Sequence, residues 1–267
     1  VAEGTRHAVN AAATIESKGG RAGRLIVTID GPAGTGKSSV ARALARRLGV
    51  EFLDTGAMYR GAAALALDAG LPVSAALARG PALPGDLEAR LCGLIDGAAM
   101  RFDWTCDPPE LIAQGRSIMG RLRDADVTAL VSPLAGVPAL RARMVAAQRA
   151  IAAAHPRLVT EGRDQGSVVF PDADVKIYLD AAPDVRARRR AEQLRAAGEP
   201  ADEPRLLAEI VARDESDRRR TVGPLVCPSD AVVVDTSGLS FDAVVDRLHE
   251  VVRAGVASRA RDGRSGA

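Results

Sequence analysis

A doubly wound α/β core with one inserted subdomain is the fold this sequence predicts, and three observations predict it. Short apolar, β-branched runs alternate with stretches whose apolar residues recur at helical spacing. A glycine-rich loop stands directly between the first such run and the first such helix. The segment 70–135 then breaks the rhythm with Pro, Gly and polar turns before the alternation resumes. Strand and helix in this order imply a parallel sheet with right-handed crossovers and helices on both faces. With 267 residues, 47% of them apolar, the chain is long enough for one large core and a smaller insert.

The elements follow in order. Leu25-Ile26-Val27-Thr28-Ile29-Asp30 reads as a buried strand, and Lys37 to Leu48 as a helix with Val40, Leu44 and Leu48 on one side. Phe52-Leu53 makes a very short second strand, after which Thr55 is the expected cap of a helix running towards Asp68. Inside the insert, Met100–Trp104 and Glu110–Ala113 are short strand candidates. Strands at Arg157–Glu161, Val175–Leu179 and Ala231–Asp235 follow, with helices near 138–154, 184–196, 204–219 and 240–254. The implied divisions are a core of 24–69 and 136–255, an insert of 70–135, a disordered leader of 1–23 and a flexible tail of 256–267. The leader carries no apolar segment of secretory length with a small-residue cleavage site.

Composition excludes several function classes. No run of about 18 apolar residues is present, so no membrane-spanning helix is expected. Net charge is +2, with 36 basic residues against 34 acidic ones, which argues against a general nucleic-acid coat. Aromatics are 3%, too few to stack single-stranded nucleic acid. Cys92, Cys106 and Cys227 have no metal-ligand spacing and an odd count, as expected for free thiols in a reducing cytoplasm. Only Lys18, Lys37 and Lys176 are lysine, the remaining basic residues being arginine, and Lys37 sits in the most glycine-rich loop.

That loop, Gly31-Pro32-Ala33-Gly34-Thr35-Gly36-Lys37-Ser38, fits G-x-x-x-x-G-K-[ST] in the strand–loop–helix setting the motif requires, with Ser39 just beyond it. Glycines let the backbone wrap phosphates with N–H groups turned inward, and the helix N-terminus adds positive partial charge. Lys37 supplies a mobile charge to the β- and γ-phosphates, and Ser38 offers a hydroxyl to Mg²⁺. The motif indicates ATP or another nucleoside triphosphate without specifying a reaction. A GTPase would add a guanine-selective Asn-Lys-x-Asp segment, which is absent.

Three further segments point to what accepts the phosphate. Asp54-Thr55-Gly56-Ala57-Met58-Tyr59-Arg60 lies at the end of the second strand, and ligands of open α/β sheets gather at the carboxyl ends of strands. Thr55, Tyr59 and Arg60 offer two hydroxyls and a guanidinium fork suited to a phosphate monoester. Glu161-Gly162-Arg163-Asp164-Gln165-Gly166-Ser167 follows the third core strand, with Glu161 placed to hold Mg²⁺ through water and Arg163 to hold transferring phosphates. The third is arginine-dense: Arg186, Arg188, Arg189 and Arg190, then Arg213, Asp217 and Arg220 further on. Solvated, ion-paired faces are one reading of these, and nucleic-acid binding another that interleaved acids weaken. The preferred reading is a lid, about 183–204, that brings Arg186 and Arg190 over the triphosphate as catalytic charges.

The strings VTIDGPAGTGKSS, FLDTGAMYR, EGRDQGSVVFPDADVKIYL, APDVRARRR and RDESDRRRTVGPL, in that order, resemble bacterial-type cytidylate kinases over roughly 25–255. The resemblance implies a nucleoside monophosphate kinase fold: a five-stranded parallel core, an acceptor-binding insert and a lid. It implies phosphoryl transfer from ATP to CMP, with dCMP commonly accepted, and Lys37 and Arg163 among the catalytic groups. It assigns Thr55, Tyr59, Arg60, Ser132, Arg141, Arg163, Asp164, Arg213, Asp217 and Arg220 to the acceptor site, Ser132 mainly on its distance from Arg141. A monomer that binds no nucleic acid and no membrane is the expectation. Two other readings stay open at this point: a small-molecule kinase of the shikimate type, with Asp164 as base, and a nucleotide-binding module without turnover.

Overall fold

The computed structural model describes residues 23–265, so the expected leader lies outside the described residues except for Gly23. Along the chain, β1 (Leu25–Asp30) leads into α1 (Lys37–Leu48), β2 (Glu51–Asp54) and α2 (Thr55–Asp68). The insert contributes α3 (Val73–Leu77), α4 (Gly85–Gly97), β3 (Arg101–Asp103), β4 (Glu110–Ala113), β5 (Arg116–Ser117) and α5 (Ala125–Leu134). The core then resumes with α6 (Pro138–Ala154), β6 (Arg157–Glu161), β7 (Val175–Asp180), α7 (Pro183–Ala196), α8 (Glu203–Arg219), β8 (Val232–Asp235) and α9 (Phe241–Ser265).

Five strands form one parallel sheet in the order β2-β6-β1-β7-β8. The central strand β1 has neighbours on both sides and all six of its residues are buried, which is why it reads as a continuous apolar run. Alternate residues of that strand face opposite layers. Val27 and Ile29 pack with Val40 and Leu44 of α1 and Val244, Leu248 and Val252 of α9. Ile26 instead joins Leu53, Leu158 and the layer built from α2, α6 and the insert. Leu91, Leu111, Val127 and Leu134 of the insert belong to that same cluster, so the insert shares the core's packing rather than forming its own.

Several expectations are corrected. The insert sheet has a third strand, β5, beside the two anticipated. The cap of α2 is Asp54, whose carboxylate accepts from Ala57 N at 2.9 Å; the Thr55 hydroxyl turns to the Glu161 carbonyl at 2.7 Å. The helix expected to end near 254 runs to Ser265 through most of the expected tail. Arg259 holds it there, donating to Asp174 Oδ1 at 2.6 Å and to Ala173 O at 2.7 Å. Residues Gln165–Val169 form one π-helical turn, an element that the sequence pattern did not mark.

Gly31 shows why the chain turns as it does after β1. Its φ is +147°, and a Cβ there would lie 2.0 Å from the Leu179 carbonyl oxygen on β7. The phosphate loop can leave the sheet at this point only because no side chain intervenes. Gly31→Ala is expected to cost at least about 1–3 kcal/mol through strain and displacement of β7. A thermal melt reads this as a loss of about 2–4 °C per kcal/mol for a chain this size, and an unchanged midpoint would refute the contact.

Candidate active site

The phosphate loop crosses the carboxyl end of β1, where the chain passes to opposite sides of the sheet towards β2 and β7. Gly36 caps α1 in the left-handed region at φ 84° and provides no side-chain acceptor. The first N–H groups of α1 are thus left for an anion. Lys37 is buried and folds back on its own loop, donating to Pro32 O at 2.6 Å and to Thr35 Oγ1 at 3.4 Å. Burial first, and then the Arg163 guanidinium, push its ammonium down to about 7. A lysine held this way gains most from an arriving polyanion.

Ser38 opens the other side of the loop. Its hydroxyl donates to Glu161 Oε1 at 2.8 Å, which brings α1 and the end of β6 together. Asp54 stands beside Glu161, its register partner across β2 and β6. Burial, followed by the Glu161 carboxylate, pushes Asp54 up to about 7. Two carboxylates crowded beside a hydroxyl are hard oxygen donors whose mutual repulsion a divalent cation relieves. The donor set therefore fits Mg²⁺, which needs only one or two carboxylates when phosphates and water supply the rest. No group of three or more His, Cys, Asp or Glu able to hold a metal exists among the described residues.

The acceptor candidates converge, although they come from α2, α5, α6, the loop after β6, and α8. Asp217 is the hub: its carboxylate accepts from Arg163 Nε at 2.8 Å and Ser132 Oγ at 2.8 Å, and pairs with Arg220. Burial opposes its ionisation, but Arg163 and Arg220 outweigh it and hold the carboxyl below the ordinary range. Arg220 also donates to Ser132 Oγ at 2.8 Å. Arg141 pairs with Asp164 and donates to Tyr59 Oη at 3.3 Å. Arg60 reaches into the insert, donating to Leu122 O at 3.1 Å and Thr128 Oγ1 at 2.9 Å. Burial and the nearby Arg163 lower Arg213 to about 10. The buried Nε atoms of Arg213 and Arg220 have no acceptor among the described residues. Arg60, Arg141, Arg163, Arg213 and Arg220 thus gather around Asp164 and Asp217, and the unpaired Nε donors of Arg213 and Arg220 suit a bound phosphate.

Ser132, placed in the acceptor set on its distance from Arg141, bonds Asp217 and Arg220 of that same set, because α5 meets α8 at this point. The four lid arginines also divide. Arg186 is buried and paired with Asp214 at 2.7 Å, so it is not held free to meet phosphate. Arg189 donates to Thr236 O at 2.6 Å and ties α7 to the end of β8. Arg188 and Arg190 are exposed.

Sequence reading missed Asp54, Asp30, Gln165 and Asp214. Asp54 ends a strand beside the loop, a signal the strand-end rule already contained. Asp30 ends β1 and accepts from Gln165 N at 2.8 Å and Gly166 N at 2.7 Å, so it shapes the turn that presents Arg163 and Asp164. Burial raises its carboxyl to about 6. Gln165 joins Thr160 at 2.9 Å to Gln148 at 3.1 Å beneath that turn. No local signal marks these long-range partners.

A family model described as cytidylate kinase matches residues 27–254. The cytidylate kinase of Mycolicibacterium paratuberculosis is 43% identical over 229 residues, covering 86% of this chain and 95% of that protein. That of Rhodococcus opacus is 44% identical over 238 residues, covering 87% and 97%. Among solved structures, a shikimate kinase from Bacteroides thetaiotaomicron is 15% identical with a TM-score of 0.39, over 86% of this chain and 98% of that one, too loose a likeness to bear on function. On the family match and the extent of these relatives, the chain belongs to the cytidylate kinase family.

Proposed function

We propose that this chain transfers the γ-phosphoryl group of ATP to CMP, and also to dCMP, with the arginine cluster around Asp217 receiving the acceptor phosphate. The observation that carries this reading is the cluster of half-buried guanidinium groups near Lys37 of the phosphate loop, with the Nε atoms of Arg213 and Arg220 lacking an acceptor among the described residues. Family membership supports the same donor and acceptor.

A phosphate monoester brings its own anionic oxygen to the reaction, so no general base has to remove a proton. The protein's task is to bring two polyanions together, align them and neutralise their charge. Lys37 and the open N–H groups of α1 hold the donor; Arg60, Arg163, Arg213 and Arg220 hold the acceptor phosphate. Ser38, Asp54 and, through water, Glu161 would hold Mg²⁺, which would supply further neutralisation of phosphate charge when bound. Asp164 is committed to Arg141, which makes it a poor base for a hydroxyl acceptor and disfavours the shikimate-type reading. Arg190, exposed in the middle of α7, is the remaining candidate for a charge delivered on closure.

A coupled assay of ADP release across CMP, dCMP, UMP, AMP and shikimate tests the proposal. CMP and dCMP are expected to turn over, and ATP binding without turnover of any acceptor would reduce the chain to a nucleotide-binding module. Arg190→Ala is expected to lower kcat while leaving CMP affinity unchanged, since the contact would form only on closure. Unchanged kcat would leave Arg190 as solvated surface.

A further inference from the structure

We propose that Asp214 is a positioning residue for the transfer: with Arg186 it grips Ala33 by both backbone groups and sets the phosphate loop against α7 and α8. Asp214 Oδ1 accepts from Ala33 N at 3.1 Å, and its other oxygen takes Arg186 Nη1 at 2.7 Å. The same Nη1 donates to Ala33 O at 2.8 Å, while Arg186 Nε donates to Ala181 O at 2.9 Å. Both residues are 2% exposed. A buried ion pair is a weak source of stability, because desolvation cancels much of its attraction. What an apolar pair in this place could not do is bind a peptide N–H and a carbonyl of the loop together.

The consequence reaches Lys37. Ala33 N–H and Pro32 C=O belong to one planar peptide unit and point to opposite sides of it. Holding the N–H on Asp214 therefore turns the Pro32 carbonyl towards Lys37 Nζ, which donates to it at 2.6 Å. Asp214 and Asp217 are three residues apart on α8, a spacing that puts them on neighbouring faces. One helix thus references the donor loop through Asp214 and the acceptor cluster through Asp217. This inference rests on the proposed transfer for its catalytic meaning, but the grip on the loop has a binding readout of its own.

The test compares wild type, Arg186→Met, Asp214→Ala, Asp214→Asn and the Arg186→Met/Asp214→Ala double variant. Calorimetry measures a non-hydrolysable ATP analogue and CMP separately, and the coupled assay measures kcat. Each single variant is expected to weaken the analogue tenfold or more and to lower kcat. CMP affinity should stay within twofold, because Arg163 and Ser132 still anchor Asp217. The double variant should be no worse than the weaker single, since both residues act through Ala33. Arg186→Lys, with one ammonium for two acceptors, should recover part of the loss. If Asp214→Ala does not fold, Asp214→Asn reads the same split, as it keeps the volume and drops the ion pair. Losses that multiply in the double variant would mean that Arg186 meets the nucleotide itself, and analogue affinity within twofold in the singles would mean that nothing is gripped; either overturns the proposal. Failure of wild type to phosphorylate CMP would sink the proposed function while leaving the analogue-binding comparison intact.

Discussion

Lys37→Ala is expected to leave a folded protein whose phosphoryl transfer is slower by orders of magnitude. Removing one preorganised charge donor costs on the order of 3–4 kcal/mol of transition-state stabilisation, or about two to three powers of ten in rate. The fold should survive because Lys37 makes no ion pair among the described residues: its hydrogen-bond partners are the Pro32 carbonyl and the Thr35 hydroxyl of its own loop. Its burial makes the ammonium costly before phosphate arrives, so most of its contribution is realised only with the polyanion bound. Lys37→Arg should also be poor, since a planar fork does not replace a compact ammonium in so tight a loop. Turnover by Lys37→Ala within about threefold of wild type, at matched melting temperature, would remove the loop from the mechanism.

Asp164→Asn is expected to lower kcat/KM for CMP sharply and to narrow the preference for CMP over UMP. Cytosine offers an amino donor at N4 and acceptors at N3 and O2, whereas uracil presents O4 as an acceptor and N3–H as a donor. A carboxylate near N4 and a guanidinium near N3 or O2 match cytosine and mismatch uracil. Asp164 and Arg141 are such a pair, buried together beside Tyr59. Each good polar contact is worth about 1–3 kcal/mol of discrimination, and a buried carboxylate left facing O4 adds to the penalty. The asparagine brings an amide donor that uracil can use, and it leaves Arg141 without its counter-charge. Kinetics on both substrates at equal Mg²⁺ and ATP measure the ratio. A ratio equal to that of wild type would show that Asp164 does not read the base.

Much of this was legible because it is local. The strand at 25–30 announces itself by five consecutive residues, 25–29, with apolar or β-branched character, and the loop after it by glycines at fixed offsets. Segments that end strands, such as 54–60 and 161–167, could be read as lining one crevice because a parallel sheet puts all its carboxyl ends on one side. The partners of Ser132, Asp217 and Arg220, lie 85 and 88 residues further along the chain, where distance in sequence gives no guide. The end of α9 was lost because 256–267, rich in Arg, Gly and Ser, has no apolar period to continue.

The α/β alternation, the phosphate-binding loop and membership of a family of kinases are written in residue types at short, fixed spacing. The tertiary structure decided which distant side chains share a partner. It set Asp54 against Glu161 by the register of β2 on β6. It also made Asp217 the hub for Arg163, Ser132 and Arg220. It buried Arg186, expected as a catalytic charge, against the Ala33 carbonyl and the Asp214 carboxylate. An arginine looks the same in a sequence whether it waits for phosphate or is already bound. Its partners come from residues far along the chain, and only the packing of α7 and α8 against the loop brings them within reach.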